Sequence, residues 1–320
     1  MKLISIVVSM YNEESGIAFF SKKLVDELKR LKEYNFEILW VNDGSLDHTQ
    51  QNVEKSCSSK DENVEHIFIQ FSRNFGHEAA MIAGVDNARG EAVVCLDADG
   101  QHPPTEVGKM LQTYEKGHDI VLMQRVDRED HGVIKSSMSK MFYTVINKLS
   151  VVKFQENASD FFLISKSITE LLKQEFRDNN RFLRGFIQEV GFNVKVLEYT
   201  APKRKYGESN YSFYKLMKMA FNVVFAFSNK PLRIVILISI CFFLFTIAFG
   251  GYSLVQYFIA DSIPSGYTSI IFFISLSFSL MFLVLTILSI YFEKTIKEIR
   301  KRPLYIIRKI RRSDSKIHLQ

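Results

Sequence analysis

The sequence predicts an α/β domain built on a mostly parallel sheet, followed by two helices of membrane-spanning length. Three observations predict it. Short apolar runs rich in β-branched residues alternate with helical patterns up to Arg125. One of those runs ends in Val93-Val94-Cys95-Leu96-Asp97-Ala98-Asp99-Gly100-Gln101, with two aspartates one residue apart. Further on, residues 234–259 and 268–292 hold no charged side chain, and each stretch exceeds the roughly 20 apolar residues that span a bilayer.

The first strand is expected at 4–8, where Ile-Ser-Ile-Val-Val follows the first three residues with no leader-like apolar core before it. An amphipathic pattern predicts a helix over 15–31, and Phe-Glu-Ile-Leu-Trp-Val predicts a strand over 36–41. A helix near 49–56, a strand over 65–71, a helix near 78–88 and a strand over 92–96 follow. Residues 104–116 read as helix and 119–124 as strand. Strands separated by helices of this length form βαβ units, and ligands of such sheets sit outside the carboxyl ends of the strands. The polar motifs Tyr11-Asn12-Glu13, Asn42-Asp43-Gly44-Ser45, Arg73-Asn74-Phe75-Gly76 and the aspartate pair all fall there.

After Arg125 the pattern changes to a basic amphipathic stretch over 134–149, carrying Lys135 and Lys140, and then a polar loop to Asp160. A second amphipathic stretch, 211–229, mixes Lys215 and Lys218 with aromatics and methionines, as a helix lying in a membrane interface does. The expected organisation is a domain over 1–210, this interfacial segment, a membrane hairpin over 230–292 and a basic tail over 293–320. The link between the spans has Asp261 as its only charge while both outer flanks are basic, so the positive-inside rule puts both ends of the hairpin in the cytoplasm.

Net charge is +6 over 320 residues, and 293–320 alone holds ten Lys/Arg against Glu293, Glu298 and Asp314, so the remainder is close to neutral. Such a segment beside a membrane helix suits anionic lipid headgroups and disfavours nucleic acid as a partner. Cys57, Cys95 and Cys241 are widely spaced and suggest neither a disulfide framework nor a zinc site.

In a strand, alternate side chains face the same way, so Asp97 and Asp99 would offer two hard oxygen ligands to Mg²⁺ or Mn²⁺ carried on a diphosphate. By itself the spacing also fits a solvated turn. With the other motifs, the chain resembles a family 2 glycosyltransferase of the polyprenyl-phosphate (bactoprenol) type, similar to dolichol-phosphate mannose synthases. The residues that carry the resemblance are Tyr11-Asn12-Glu13-Glu14, Asn42-Asp43-Gly44-Ser45, Ser72-Arg73-Asn74-Phe75-Gly76 with Glu78-Ala79-Ala80, and Asp97-Ala98-Asp99 with Gln101. Further along stand Asp160-Phe161, Arg181-Phe182-Leu183-Arg184-Gly185, Arg204 to Tyr211 and Arg302-Pro303-Leu304-Tyr305-Ile306-Ile307.

That resemblance implies a GT-A (Rossmann-like) domain that transfers a hexose or N-acetylhexosamine from a UDP-sugar to undecaprenyl phosphate with inversion. It implies nucleotide contacts from Tyr11, Glu13, Asp43, Ser45 and Arg73, and metal ligation by Asp97, Asp99 and Gln101. Acceptor-phosphate contacts are implied from Arg125, Lys135, Lys140, Arg204, Ser209 and Tyr211. Asp160 is expected to act as base or to orient a sugar hydroxyl, with a purely structural role as the alternative. Departures from the family pattern include Ser9, Gly100, Phe162 and Glu189, and the choice of sugar is expected to rest near Phe162 and Glu189. The resemblance leaves room for a homo-oligomer through the membrane segments. A processive polysaccharide synthase is the enzymatic rival, but the only tryptophan, Trp40, sits in an early strand rather than in the Gln-x-x-Arg-Trp motif of those enzymes. An inactive, membrane-anchored nucleotide-sugar binder is the other alternative.

Overall fold

The computed structural model describes residues 1–57, 63–126, 158–177, 183–202, 230–259, 266–300 and 302–313. Its first unit holds the sheet. Strand β1 (Lys2–Met10) runs parallel to β2 (Tyr34–Asn42) on one side and to β4 (Ala92–Asp97) on the other. Strand β3 (Val64–Phe71) extends the parallel set beyond β2. The helices between them, α1 (Ile17–Arg30), α2 (Thr49–Ser56) and α3 (His77–Asn87), make each connection a βαβ unit, as the alternating pattern predicts.

Beyond β4 a short 3₁₀ turn (Pro104–Glu106) opens α4 (Val107–Glu115), which leads to β5 (Ile120–Arg125). Then β6 (Ala158–Ser165) lies antiparallel between β4 and β5, followed by α5 (Lys166–Gln174), α6 (Leu183–Glu189) and β7 (Val194–Tyr199), which pairs parallel with β5. The eight-stranded order is β7-β5-β6-β4-β1-β2-β3-β8. Asp160 was expected at the end of a polar loop. It lies instead in β6, whose apolar run Phe161-Phe162-Leu163-Ile164 is buried between two strands and takes its hydrogen bonds from both.

The core explains the long strands. Ile4, Ile6 and Val8 of β1 meet Phe36, Ile38 and Trp40 of β2, and α1 adds Phe20, Leu24 and Leu28. Helix α3 lies against β1 so closely that a Cβ on Gly84 would stand 2.1 Å from a methyl of Val7. The fully buried Glu37 is paired: it accepts from Ser5 Oγ, from the Arg89 backbone N–H at 2.6 Å and from Arg89 Nε at 2.7 Å.

Residues 293–320, expected as one basic tail, divide. The last apolar helix continues through Ile299, and Ile307–Arg312 forms β8, antiparallel to β3 at the sheet edge. Edge pairing satisfies the backbone of β8 on one side while its basic side chains stay in solvent. The stretches 134–149 and 211–229 lie outside the described residues.

The second unit contains α7 (Lys230–Ile259) and α8 (Tyr267–Ile299), both long and apolar enough to cross a membrane. Their apolar windows, Ile234–Tyr252 and Leu276–Glu293, are 6% and 0% buried, unlike core helices of a water-soluble fold. Phe242, Phe245 and Phe249 gather around Phe273 across the pair. Thr246, Ser277, Thr286 and Ser289 each donate to the carbonyl four residues back, so these hydroxyls are satisfied within their own helices, as an apolar surrounding requires.

Candidate active site

Strands β1 to β5 all point the same way, so the segments after Met10, Asn42, Phe71, Asp97 and Arg125 emerge at one edge of the sheet. After β1 and β2 the chain ties two loops together. Asn12, at a positive φ of 53°, donates its N–H to Ser45 Oγ at 3.0 Å, and its side-chain oxygen accepts from the Leu46 N–H at 3.1 Å. The Glu13 N–H donates to Thr49 Oγ1, and Tyr11 stands exposed at the rim.

Asp43 is buried, and the structure spends its carboxylate on the next loop. Oδ1 accepts from the Phe75 N–H at 2.6 Å, while Oδ2 accepts from Asn74 Nδ2 and the Gly76 N–H, both at 2.9 Å. Asp43, expected to touch the nucleotide, thus shapes loop 72–76. Gly44, at φ 68°, brings the same turn against the Arg73 backbone, where a Cβ would lie 2.4 Å from the carbonyl carbon. The Arg73 guanidinium lies 4.0 Å above the Phe75 ring.

At the end of β4, Asp97 is the registered neighbour of Ser9 on β1, and Ser9 Oγ donates to Asp97 Oδ1 at 2.7 Å. The β4–β6 ladder pairs Cys95 with Phe162. Continuing that register by two residues puts Asp97 across from Asp160. His77, at the start of α3, stands between them: Nδ1 is 3.1 Å from Ser9 Oγ and 3.4 Å from Asp97 Oδ1, and Nε2 is 3.4 Å from Asp160 Oδ2. Because the Ser9 hydroxyl is committed to Asp97, His77 is the donor to Ser9, and its other nitrogen faces a carboxylate. Burial opposes the charged ring, but Asp97 and Asp160 outweigh it and hold His77 well above the usual histidine range. Its side chain is 39% accessible, and those of Asp97 and Asp160 are 24% and 20%, so the cluster is reachable from solvent.

Asp160 Oδ1 is also ion-paired with Arg184 Nε of α6 at 2.7 Å. Burial opposes its ionisation, yet Arg184 and His77 keep its carboxyl well below the ordinary range. Glu78 beside it accepts from the Leu183 N–H at 3.0 Å and so docks the start of α6; burial and the neighbouring Asp160 push it up to about 7. His102 Nδ1 lies 3.7 Å from Asp97 Oδ2, but that nitrogen accepts the Asp97 backbone N–H at 2.9 Å, so it is no ion-pair donor there.

Asp97 and Asp99 were expected to share one strand face. The strand ends at Asp97, and Asp99 sits in a turn where its Oδ1 accepts from the Gln101 N–H at 2.9 Å, with Gly100 at φ 77° making the turn affordable sterically. The Gln101 side chain meets Arg125 Nη1 at 3.5 Å, which sets it towards the end of β5. Among the described residues, His77, Asp97 and Asp160 bring donor atoms within 4.8 Å of one another, while Asp99 and Gln101, expected to ligate with Asp97, sit in the turn that follows it. Carboxylate oxygens suit Mg²⁺ or Mn²⁺, so Asp97 and Asp160 fit a hard divalent ion; His77, with both nitrogens turned to acceptors, is their counter-cation in this arrangement and would become a metal ligand only on losing a proton.

Other expected residues part company. Phe162, expected near the choice of sugar, is 1% exposed, because helices α4 and α5 pack against β6 and cover the faces of the strand. Glu189 is exposed at the far end of α6, about 7 Å along the helix axis from Arg184. Arg125 ends β5 with Nη1 against Gln101, and the buried Tyr199 of β7 has its phenol pKa raised chiefly by burial, with Asp97 and Asp99 adding to the rise and Ser159 and Arg125 opposing it. Lys135, Lys140, Arg204, Ser209 and Tyr211 lie outside the described residues. The sequence reading missed His77, His102 and Tyr199. It noted Ser9 only as a departure from the family pattern, which was the one signal available.

Residues 5–172 match the family model described as glycosyl transferase family 2. The chain is similar to the prophage bactoprenol glucosyl transferase homolog of Escherichia coli (strain K12), at 32% identity over 309 residues, covering 97% of this chain and 99% of that one. It is similar also to the putative glycosyltransferase CsbB of Bacillus subtilis (strain 168), at 34% identity over 307 residues, covering 96% and 91%. Among solved structures, glucosyl-3-phosphoglycerate synthase from Mycobacterium tuberculosis, in complex with Mn²⁺, UDP and phosphoglyceric acid, is 16% identical with a TM-score of 0.48, covering 70% of this chain and 76% of that one.

Proposed function

The chain belongs to glycosyl transferase family 2, and from that premise we propose that it transfers a hexose or N-acetylhexosamine from a UDP-sugar to a polyprenyl phosphate, inverting the anomeric centre. The observation that carries this reading is Asp97 facing Asp160 across His77, which joins the donor-side carboxylate to the one pinned by Arg184 of α6. The name of the Escherichia coli relative supports the lipid acceptor, and the two bare apolar helices suit an enzyme whose acceptor resides in a membrane.

Transfer from a nucleoside diphosphate leaves an anion, so the main demand on the protein is electrostatic. Asp97, with Asp160 across from it and Asp99 and Gln101 from the turn after β4, is assigned to Mg²⁺ or Mn²⁺, which when bound would neutralise that diphosphate. A lipid phosphate is already ionised at neutral pH and attacks without a strong base. Asp160 suits this chemistry as an orienting acceptor, because its pairing with Arg184 and His77 makes it a weak base. Tyr11, Glu13, Ser45 and Arg73 are assigned to the nucleotide, with Asp43 as the residue that shapes their surroundings. Arg125, Lys135, Lys140, Arg204, Ser209 and Tyr211 are assigned to the acceptor phosphate, and Glu189 to the choice of sugar.

The catalytic unit then comprises 1–210 together with β8, with 211–229 at the membrane interface, the hairpin within 230–292 spanning the bilayer and both of its ends on the cytoplasmic side. The test is to incubate the purified protein with Mn²⁺, undecaprenyl phosphate and a panel of UDP- and GDP-sugars, and to read the lipid by mass. A gain of one sugar residue from a UDP-sugar is expected. Nucleotide-sugar turnover without any glycosylated lipid would overturn the acceptor assignment, and product from GDP-sugars alone would overturn the uridine donor.

A further inference from the structure

Loop 72–76 is gripped from two sides. Asp43 holds Asn74, Phe75 and Gly76 from the end of β2, as described above. The second grip comes from the segment that follows the apolar helices. The Ile306 carbonyl accepts the Ser72 N–H at 3.0 Å. The Tyr305 ring lies parallel to Phe71, with 5.3 Å between centroids and 5° between planes, and Phe71 in turn meets Phe75 edge-on at 5.7 Å. The Tyr305 hydroxyl donates to Asp86 Oδ2 at 2.6 Å, and Arg177 pairs with the other oxygen of Asp86 at 2.7 Å.

Beyond Tyr305 the attachment continues along the edge of the sheet. Strand β8 pairs with β3 from Phe71↔Ile307 to Ile67↔Arg312. Ser313 then closes a reciprocal pair with His66, its Oγ accepting the His66 N–H at 2.9 Å and its own N–H donating to the His66 carbonyl at 2.8 Å. Leu304 is buried beside Tyr305.

We infer that the segment 304–313 is a working part of the donor site, with Tyr305 as a positioning residue that sets loop 72–76 through Phe71. The inference rests on the assignment of Arg73 and its loop to the nucleotide. Its physical basis is that a loop held on one side by a single carboxylate keeps a choice of conformations, and ordering it at the moment of binding costs affinity. A stacked ring anchored by an ion-paired carboxylate removes that freedom beforehand. A chain that ended after its apolar helices would keep every residue assigned to the nucleotide but would lose the support of the loop.

The test uses the full-length protein in detergent, titrated calorimetrically with UDP and with GDP, alongside steady-state kinetics with undecaprenyl phosphate. Tyr305→Ala should weaken nucleotide binding by about tenfold, and Tyr305→Phe, which keeps the ring and loses the bond to Asp86, by roughly two- to threefold. The donor KM should rise in step while the acceptor KM stays as in the wild type, a split that general destabilisation would not produce. Wild-type nucleotide affinity in a folded Tyr305→Ala would overturn the inference. If that variant does not fold, Tyr305→Phe decides, since an unchanged donor KM there overturns it equally. Wild-type protein that binds neither UDP nor GDP would instead overturn the donor-site assignment on which the inference rests.

Discussion

His77 Nε2 lies 3.4 Å from Asp160 Oδ2, and the opposite ring nitrogen is the same distance from Asp97. One side chain on α3 thus separates two carboxylates that would otherwise face each other across adjacent strands. His77→Ala should lower turnover by about ten- to a hundredfold, the cost of leaving charged partners uncompensated. His77→Lys keeps a cation at the same place and should retain more activity than the alanine variant. Steady-state kinetics of both checks this, and an alanine variant at the wild-type rate would show that the bridge has no bearing on transfer.

Asp97 is anchored by Ser9 and stands at the centre of the charged cluster, so Asp97→Asn should reduce transfer by about a hundredfold or more. Treatment of the wild type with a chelator should stop turnover, and added Mn²⁺ or Mg²⁺ should restore it. Turnover that persists through exhaustive chelation would remove the metal from the reading and leave the carboxylates with a purely positional role.

Gly44→Ala tests the contact between the loops after β2 and β3. The new methyl would meet the Arg73 backbone at 2.4 Å from a residue already at positive φ, so a loss of about 2 kcal/mol or more is expected, together with weaker nucleotide binding. Gly117 gives the contrast, since it too has positive φ, at 89°, but nothing lies within 4 Å of its would-be Cβ. Gly117→Ala should cost only about 1–2 kcal/mol of strain and leave binding unchanged. Thermal unfolding and calorimetry on the two variants separate these outcomes.

Glu37→Ala should destabilise the sheet domain by about 3–5 kcal/mol, because it removes the buried acceptor of Ser5 and of the Arg89 backbone and side chain. Glu37→Gln retains hydrogen-bonding capacity and should lose less. Unfolding midpoints of the purified proteins measure the difference, and an alanine variant as stable as the glutamine variant would refute the assigned role of the network.

Much of the site was legible as a set of places. The turn residues of Asn42-Asp43-Gly44-Ser45 and Ser72-Arg73-Asn74-Phe75-Gly76 mark where strands end, and those ends do meet at one edge. Their partners were not legible. Nothing in the Asn42-Asp43-Gly44-Ser45 run shows that the Asp43 carboxylate anchors residues 74–76, which its hydrogen bonds reveal. Phe162 reads as a specificity position, and its burial beneath the helices packed on β6 was not legible in the motif alone.

The sequence by itself determined the succession of strands and helices up to Arg125, the two uncharged apolar stretches and the family, because each is written in a local period, a local composition or a run of motif residues. Tertiary structure alone decided that Asp160 faces Asp97, that His77 stands between them and that β8 returns from beyond the apolar helices to the edge of β3. Those relations depend on the register between strands far apart in the chain, and register is set by hydrogen bonds and packing that no single segment encodes.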